Sequence, residues 1–423
     1  MGTAASATTR PAAGDGAAPG LADGPAGVTF PRRFEAAGVH CGIKHRRPDL
    51  AVIHSPDPCA AAAVFTRNRV RAAPLQVSRE HLEAARDRIR AVVVNSGNAN
   101  ACTGPQGLAD ARAMAEACAA ELGVEPEQVL VASTGVIGVP LPMDRVRVGI
   151  RRACRELSRE GGLEAASAIL TTDRRPKVRA VEVALPDGRV VRVGGMAKGS
   201  GMIHPDMATM LAFLTTDAPV EAQALEGLLR DVAGRTFNMI TVDGDTSTND
   251  MAVLLASGRA GGPALEPGTP AFSALAAGVE EVARYLAREI ARDGEGATRL
   301  VEVRVVGARS EAEARACARA VAGSNLVKSA VHGGDPNWGR IAAAAGRSGA
   351  ELDPDGLSVW LGQVRVAARG QEVPFDEAAA RAALLADEVR ITVDLGTGGG
   401  GEATAWSCDL SEEYVRINAS YRS

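Results

Sequence analysis

The sequence has few aromatic residues and no long apolar segment, and each shortage argues against a class of function. Phe, Tyr and Trp together make up 3% of the 423 residues, which argues against a surface that stacks nucleic-acid bases. The formal net charge is -4, without a long basic block, so a nucleic-acid partner is not indicated. No apolar run approaches the roughly 20 residues that a membrane-spanning helix needs. These shortages favour an ordinary globular protein.

The sequence also lacks a metal-binding or disulfide pattern of cysteines and a recognisable signal peptide. The seven cysteines are scattered, form no CxxC pair and are odd in number, so neither a zinc site nor a disulfide framework is indicated. The first 28 residues are mostly Ala, Gly, Pro and Thr without a continuous apolar core. We therefore predict a disordered tail over residues 1–28 rather than a secretion signal, and a cytoplasmic protein with reduced thiols.

The remaining pattern indicates an α+β fold with mixed α/β layers. A chain of 423 residues favours two lobes. Short apolar runs predict strands, separate blocks with helical spacing predict helices at 106–122 and 270–292, and Asp187-Gly188 predicts a hairpin. Several consecutive strands are joined by hairpins, whereas a parallel sheet would need longer crossover connections between them. The pattern therefore favours a layered α+β fold over a doubly wound sheet.

Three segments are predicted from local composition. Residues 34–75 alternate apolar runs with polar turns and predict antiparallel strands. Residues 95–100, after a buried strand, are rich in Asn and Gly and predict a structured loop. Within residues 324–346, the segment 332–340 predicts a second polar, glycine-rich loop.

The stretch at 195–211 joins a glycine-rich segment to an apolar run, with Lys198 inside it and Thr209 at its end. A threonine hydroxyl is a weak nucleophile without a base. His204 is a candidate, although a loop histidine more often makes local hydrogen bonds. The other candidate is the α-amino group of Thr209, free only if the bond after Ala208 is broken, with a pKa near ~7.7–8. From spacing alone, a β-forming threonine that opens a strand is the simpler interpretation.

A series of motifs, in order along the chain, favours the nucleophile over the simple strand residue as the role of Thr209. They are GVHCGIK at 38–44, VFTRNRV at 64–70, NSGNANACTG at 95–104, STGVIG at 133–138, TTD at 171–173, KGSGMI at 198–203, MATML at 207–211, NMITVDGDTSTND at 238–250, DGEGAT at 293–298 and GDPNWGR at 334–340. From about residue 28 to its end the chain resembles the bifunctional ornithine acetyltransferase / glutamate N-acetyltransferase family of arginine biosynthesis.

The resemblance implies a self-cleaving acyltransferase with an N-terminal-nucleophile-like sandwich of sheets flanked by helices, plus a second α/β lobe. Cleavage at Ala208/Thr209 is expected to give an α chain over 29–208, preceded by the tail, and a β chain over 209–423, in an α2β2 assembly. Thr209 is expected to take the acetyl group from N2-acetylornithine and pass it to glutamate in a ping-pong reaction. The resemblance implies no cofactor and no metal, and leaves acetyl-CoA open as a second donor.

The resemblance also assigns site residues by position. Thr134 and Gly135 are expected to form the oxyanion hole, in agreement with the chemistry of a hydroxyl and an N–H group just after a strand. The substrate contacts that it implies are Lys198 for a carboxylate, Glu295 for an ammonium group, Thr171 or Thr172, Asn418 and Ser423. Ser423 departs from relatives that end in threonine but keeps the hydroxyl, and Arg174-Arg175 is a further departure.

Competing interpretations remain at this stage. The same nucleophile would serve a self-processing aminopeptidase or amidohydrolase with water as the acceptor, and a ligand-binding relative without activity is a third possibility. Residues 243–250 resemble a calcium loop but lack the closing glutamate of an EF-hand, so a tight loop near the new N-terminus is preferred. The glycines at 398–401 do not open a predicted helix, which argues against a phosphate cradle.

Overall fold

The computed structural model describes residues 9–11, 26–204 and 210–420 of the chain. The strands are β1 (Thr9–Pro11), β2 (Glu35–Val39), β3 (Leu50–Phe65), β4 (Ile89–Asn98), β5 (Val129–Val136), β6 (Lys177–Ala184), β7 (Val190–Lys198), β8 (Leu211–Thr216), β9 (Met251–Ala256), β10 (Leu300–Ala308), β11 (Ser358–Leu361), β12 (Val364–Ala368), β13 (Gln371–Glu372), β14 (Glu388–Asp394) and β15 (Gly401–Cys408). The helices are α1 (Ala73–Ala85), α2 (Gly104–Leu122), α3 (Met143–Arg155), α4 (Gly162–Ala168), α5 (Ala222–Arg235), α6 (Pro270–Arg292), α7 (Glu311–Ala322), α8 (Asn325–Gly333), α9 (Trp338–Gly346), α10 (Glu377–Leu384) and α11 (Glu412–Ser420).

The larger sheet is organised around the long strand β3. In the described part of the chain its strands follow the order β1-β6-β7-β8-β9-β3-β4-β5, with β2 also paired to β3. Residues 50–54 of β3 pair with β4, whereas residues 60–65 pair with β9. The strand therefore passes from one half of the sheet to the other, with a register shift between His54 and Cys59.

The two halves of this sheet pack face to face. One apolar cluster joins Phe213 and Val253 from the β6–β9 half with Val92 and Leu130 from the β4–β5 half. The outer face of the β6–β9 half packs against α5 and α6, and that of the other half packs against α1, α2 and α3. Two sheet layers thus lie between two helical layers, which is the layered α+β arrangement that the sequence predicts.

The close approach of α6 to the sheet depends on small residues. A Cβ atom on Gly278 of α6 would lie 2.3 Å from Cγ2 of Val183 in the sheet, and one on Gly195 in the sheet would lie 2.9 Å from Cγ1 of Val282 in α6. Side chains at either position would push helix and sheet apart. These two glycines therefore set the close spacing of α6 and the sheet.

The second lobe contains a smaller sheet. Its described strands follow the order β13-β12-β11-β14-β10-β15, and β10 is parallel to β14 but antiparallel to β15. Helix α7 packs on this sheet, in the same apolar cluster as α6. A second α/β lobe is therefore present, and it shares its core with the first.

Several local predictions are confirmed. The hairpin of β6 and β7 turns at Asp187-Gly188, where the N–H of Leu185 donates to the carbonyl of Arg189. Helix α6 spans the predicted 270–292, and α2 ends before Gly123, which has a φ of 67°. Glycine is the residue that adopts this left-handed conformation at least cost.

Other predictions are wrong, and each error has a local cause. Strand β4 continues to Asn98, so residues 95–98 extend a strand instead of forming a loop. Residues 73–75 belong to α1, which has Pro74 in its first turn. The loop predicted at 332–340 is present but shorter, at 334–337, with α8 before it and α9 after it. Helix α8 ends before Gly334, which has a φ of 66°, and Asn337 caps α9 by accepting from the N–H of Arg340.

The predicted tail lies outside the described residues except at 9–11 and 26–28. Thr9–Pro11 pairs with β6, and Val28 is fully buried while its carbonyl accepts from Oγ1 of Thr215. None of the helices in residues 26–204 and 210–420 combines the length and the apolar composition that a membrane crossing requires.

Candidate active site

A cavity of about 200 Å³ lies where β5, β7, the segment before β9 and helix α11 meet. Its walls include seven of the residues predicted for the site: Thr134, Gly135, Thr171, Thr172, Lys198, Glu295 and Asn418. These residues are up to 284 positions apart in the sequence, from Thr134 to Asn418. Ala208, Thr209 and Ser423 lie outside the described residues, and the chain resumes at Met210, which also lines the cavity.

Thr134 and Gly135 lie inside strand β5 rather than in a turn after it. At this point the ladder with β4 is irregular, because Asn98 pairs with both Thr134 and Val136. Gly135 has a φ of 133°, and a Cβ atom there would lie 2.3 Å from the carbonyl carbon of Gly97. Only glycine fits this backbone, so the irregular strand end delivers a hydroxyl and a closely packed peptide group to the cavity.

Lys198 ends strand β7 and is almost completely buried, with 7% of its surface exposed. Its Nζ atom donates to Oγ1 of Thr134 at 3.4 Å and lies 3.8 Å from a carboxylate oxygen of Asp173. Burial lowers the pKa of Lys198, and the negative charge of Asp173 partly opposes this shift. An ammonium group is thus held beside the predicted oxyanion-hole hydroxyl.

Asp173 holds several groups of the cavity wall in place. Its carboxylate accepts from Nζ of Lys177 at 2.8 Å, from the N–H of Gly199 at 2.7 Å and from the N–H of Thr171 at 3.1 Å. Burial acts to raise the pKa of Asp173, but Lys177 and Lys198 outweigh it and hold the pKa well below its usual value. Asp173 therefore fixes Lys198 and the threonine loop together. The sequence motif contains this residue, but without the fold nothing indicates that it pairs with Lys177.

Thr171 and Thr172 both line the cavity. Their positions therefore do not select one of them as the substrate contact. Arg174, noted as a departure, points away from this cavity and pairs with Asp293 at 3.0 Å. Asp293 also accepts from Lys177 at 2.7 Å. Arg174 is thus part of an ion-pair network behind the site.

Glu295 is buried on the other side of the cavity, with 8% of its surface exposed. Its Oε2 atom accepts from Nδ2 of Asn418 at 2.8 Å, so the predicted return of the C-terminal segment to the site takes place through helix α11. A Cβ atom on Gly201 would lie 2.4 Å from this carboxylate. Gly201 therefore leaves room for Glu295.

The loop 243–250 supports the segment that precedes the predicted cleavage point. Asp243 accepts from the N–H groups of Met202 at 2.6 Å and Ile203 at 2.9 Å, and Thr246 donates to the carbonyl of His204 at 2.9 Å. Burial raises the pKa of Asp243. The carboxylate is thus occupied by backbone donors, as a structural loop requires.

His204 is held by neighbours outside the cavity wall. Its Nδ1 atom lies 3.0 Å from Oγ1 of Thr241 and its Nε2 atom 3.0 Å from a guanidinium nitrogen of Arg319. These contacts are those of the loop histidine that the sequence analysis preferred over a catalytic base.

Sequence analysis did not select two further lining residues, Asp250 and Tyr414. Burial raises the pKa of Asp250 well above its usual value and that of Tyr414 to about 12. The sequence alone could not identify these two residues as part of the cavity. Strand pairing places Asp250 there, and the docking of α11 places Tyr414 there.

The anchor of α11 lies next to the cavity. Asp409 accepts from Oγ1 of Thr298 at 2.6 Å and from the N–H of Arg299 at 2.9 Å, and it lies 2.7 Å from Nδ1 of His332. These contacts tie the start of α11 to the segment that carries Glu295.

Known proteins match the chain along most of its length. The model of the ArgJ family matches residues 35–423. The chain belongs to the ArgJ family. This membership confirms the resemblance deduced from the motifs, and with it the enzyme class, an acyltransferase of arginine biosynthesis.

Individual ArgJ relatives agree with this membership. The arginine biosynthesis bifunctional protein ArgJ of Symbiobacterium thermophilum is 56% identical over 400 residues, which are 94% of this chain and 98% of that protein. The protein of the same description from Thermotoga neapolitana is 50% identical over 397 residues, 93% of this chain and 99% of that one. A crystal structure of ArgJ from Bacillus halodurans is 45% identical and covers 49% of this chain and 98% of its own, with a TM-score of 0.48.

Proposed function

We propose that this enzyme transfers the acetyl group of N2-acetylornithine to glutamate through an ester on Thr209, after self-cleavage between Ala208 and Thr209. The observation that carries the proposal is the meeting of the seven predicted site residues in one cavity, lined also by Met210. Residues from both sides of the cleavage point contribute to this cavity, as a nucleophile created at 209 requires.

In the first half-reaction the hydroxyl of Thr209 attacks the acetyl carbonyl of acetylornithine, and its proton passes to the α-amino group of the same residue. The oxygen of the carbonyl becomes an oxyanion, which the hydroxyl of Thr134 and the N–H of Gly135 stabilise. The C–N bond then breaks, and the proton moves to the departing amine of ornithine. The ammonium group of Lys198, 3.4 Å from Oγ1 of Thr134, supports negative charge at this position.

In the second half-reaction the amine of glutamate attacks the ester on Thr209 and takes the acetyl group, while the hydroxyl regains a proton. Both substrates carry an α-carboxylate, which suits Lys198, and ornithine adds an ammonium group, which suits Glu295. Thr171, Thr172, Asn418 and Ser423 complete the proposed contacts. This scheme uses no cofactor, and acetyl-CoA is a second donor to test.

The resemblance to the family also bears on the assembly of the protein and its location in the cell. We propose that the cut protein assembles as α2β2 and works in the cytoplasm, and size measurements on the purified enzyme test the first point.

Mass spectrometry of the purified protein tests the cleavage. We expect two fragments, ending at residue 208 and beginning at residue 209, and a single uncut chain for Thr209→Ala. A fully active wild-type protein that remains one chain would rule out the N-terminal amine mechanism.

Incubation with acetylornithine tests the transfer. We expect the β chain to gain the mass of one acetyl group, and glutamate to remove it as N-acetylglutamate. Rapid release of acetate that does not depend on glutamate would instead identify the amidohydrolase, and no adduct or product of any kind would identify an inactive relative. The same experiment with acetyl-CoA determines whether the thioester also loads Thr209.

A further inference from the structure

Lys44, in the loop between β2 and β3, reaches the segment that carries the two cavity threonines. Its Nζ atom donates to the carbonyl oxygen of Leu170 at 2.9 Å. Leu170 immediately precedes Thr171 and Thr172, which line the cavity, whereas Lys44 is not among the cavity's described lining residues. A basic side chain behind the cavity therefore holds the backbone from which two of its wall residues extend.

The backbone of Lys44 is fixed, so its side chain starts from a defined place. The fully buried carboxylate of Asp49 accepts from the N–H of Lys44 at 2.8 Å. It also accepts from the N–H groups of Cys41 at 2.6 Å and Gly42 at 3.1 Å. Asp49 directly precedes β3, so the loop is tied to the start of the strand that organises the large sheet.

The stem of Lys44 lies against the strand pair that carries the predicted oxyanion hole. Gly97 of β4 pairs with Gly135 of β5, and a Cβ atom on Gly97 would lie 2.8 Å from Cγ of Lys44. The lysine stem therefore packs on the backbone next to Gly135, while its Nζ atom holds Leu170. One side chain thus bridges the β4–β5 strand pair and the segment of the cavity threonines.

Two donors hold the segment that follows α4. The hydroxyl of Ser96 in β4 donates to the carbonyl of Ala168 at 2.5 Å, and Lys44 donates to that of Leu170. Ala168 and Leu170 are both buried, where an unpaired carbonyl group is costly. A charge-assisted hydrogen bond is roughly twice as strong as a neutral one, so Lys44 in its ammonium form is the stronger of these two anchors.

We propose that Lys44 is a positioning residue, whose hydrogen bond to Leu170 sets the place of Thr171 and Thr172 relative to the oxyanion-hole strand. This inference rests on the proposed function, in which these threonines contact the substrate. Asp173 also accepts from the N–H of Thr171, so loss of the Lys44 contact loosens the threonine pair without releasing it. Substrate affinity therefore decreases more than turnover does.

The charge on Lys44 makes this contact sensitive to pH. The charged or titratable groups around the lysine and its loop are His40, Arg47, Asp49, Arg145, Asp173 and Lys198. Burial lowers the pKa of Lys44 to about 8; Asp49 and Asp173 oppose this shift, whereas Arg47 and Lys198 add to it. As pH rises through this value the ammonium group becomes a neutral amine, and its hydrogen bond to the carbonyl weakens.

The KM for acetylornithine, measured across pH, tests the proposal, because the carboxylate and ammonium groups of this substrate do not titrate between about pH 6.5 and pH 9. Lys44→Met removes the hydrogen bond and keeps an unbranched apolar stem. We expect its KM at about pH 7 to be about tenfold higher than that of the wild type, with kcat within about threefold. Arg46→Met, exposed in the same loop, is the matched control and should keep the wild-type KM.

Lys44→Arg separates the charge of this residue from other titrations. Arginine stays charged throughout this range, so we expect the variant to have a KM near that of the wild type at about pH 7. Between about pH 7 and pH 9 the wild-type KM should rise about threefold more than that of Lys44→Arg. Lys198 and the amine of Thr209 are present in both proteins, so the difference between the two profiles reports the charge of Lys44.

A wild-type KM for Lys44→Met would overturn the proposal, as would KM profiles of wild type and Lys44→Arg that coincide across pH. A decrease in kcat with KM unchanged would also overturn it, because that result would assign the lysine to the chemical step. If Lys44→Met does not fold, Lys44→Gln, also uncharged, provides the same comparison. Failure of the underlying function looks different: the wild type itself would then form no N-acetylglutamate from acetylornithine and glutamate.

Discussion

At the residue scale, the site is built on a buried chain of charges. Lys198 lies between Oγ1 of Thr134 and the carboxylate of Asp173, and Asp173 in turn pairs with Lys177. Each charge is buried, so none would be stable without its neighbour. The arrangement orients the ammonium group of Lys198 toward the hydroxyl of Thr134, and the carboxylate of Asp173 behind it supplies the compensating negative charge.

The hydroxyl of Thr134 can be tested by Thr134→Ala. Because it removes one proposed oxyanion donor, we expect kcat to fall by about 10²–10³ with the unfolding temperature nearly unchanged. Thr134→Ser keeps a hydroxyl and serves as the matched control. A turnover number equal to that of the wild type would reject the assignment.

The carboxylate of Asp173 is expected to matter for stability as well as activity. Asp173→Asn leaves Lys198 and Lys177 with less compensating charge, and removal of one partner from a buried ion pair costs about 3 kcal/mol or more. Urea unfolding measures this loss, and Asp187→Asn, on the exposed hairpin turn, is the control. A loss below about 1 kcal/mol would show that solvent reaches the network.

At the element scale, strand β3 connects the two halves of the large sheet and carries His54 where the register shifts. Both ring nitrogens of His54 are buried without hydrogen-bond partners in the described chain, and the nearest carboxylate oxygen, of Glu35, is 3.8 Å from Nδ1. Burial, assisted by the charge of Arg90, lowers the pKa of His54 to about 4. The strand therefore holds a neutral histidine.

This histidine predicts acid sensitivity with a defined sign. Below its ordinary pKa of 6.5 the unfolded chain binds a proton that the folded chain does not bind until about pH 4, so stability falls as pH decreases through this window. We expect a loss of about 2 kcal/mol between about pH 7 and pH 5. Unfolding measured in His54→Leu should show a weaker dependence on pH, and His45→Asn, exposed on a loop, should behave as wild type. Identical pH profiles for His54→Leu and wild type would show that this ring takes up its proton in the folded state.

At the scale of the whole molecule, the proposed cut falls between two neighbouring strands of one sheet. Strand β7 pairs with β8 through six residue pairs, 193–198 with 216–211, and β3 pairs with β9 through six more, 60–65 with 256–251. The first member of each pair lies in the α chain and the second in the β chain. The two chains that the proposed cut would create therefore share one sheet and one core.

We expect the cut protein to elute as one particle under native conditions, with both fragments in a single peak of size-exclusion chromatography. Denaturing electrophoresis of that peak should separate them. Their separation requires denaturant, because it exposes both the β7–β8 and the β3–β9 ladders. Free α or β fragments in native buffer would contradict this.

The motifs alone led to the family and, by resemblance, to the site residues from Thr134 to Asn418, because a nucleophile, an oxyanion hole and a substrate carboxylate restrict which residue types can stand at given positions. The order of strand runs, helical blocks and hairpins indicated the α+β class. Periodicity also located α6 and the hairpin at Asp187-Gly188, whose signals are local. The loop predicted at 332–340 is shorter in the structure, at 334–337, because Gly334 and Asn337 end one helix and cap the next, and the same residue types also form loops.

Only the tertiary structure decided how these residues meet. The pairing of Asp173 with Lys177 and Lys198, the approach of Asn418 to Glu295 and the place of Asp250 beside Met210 all depend on strand register and helix docking between distant segments. Burial then changes the chemistry, because it lowers the pKa of Lys198 and raises that of Asp250. Composition determined which groups are available, whereas packing determined their partners and the direction in which their pKa values shift.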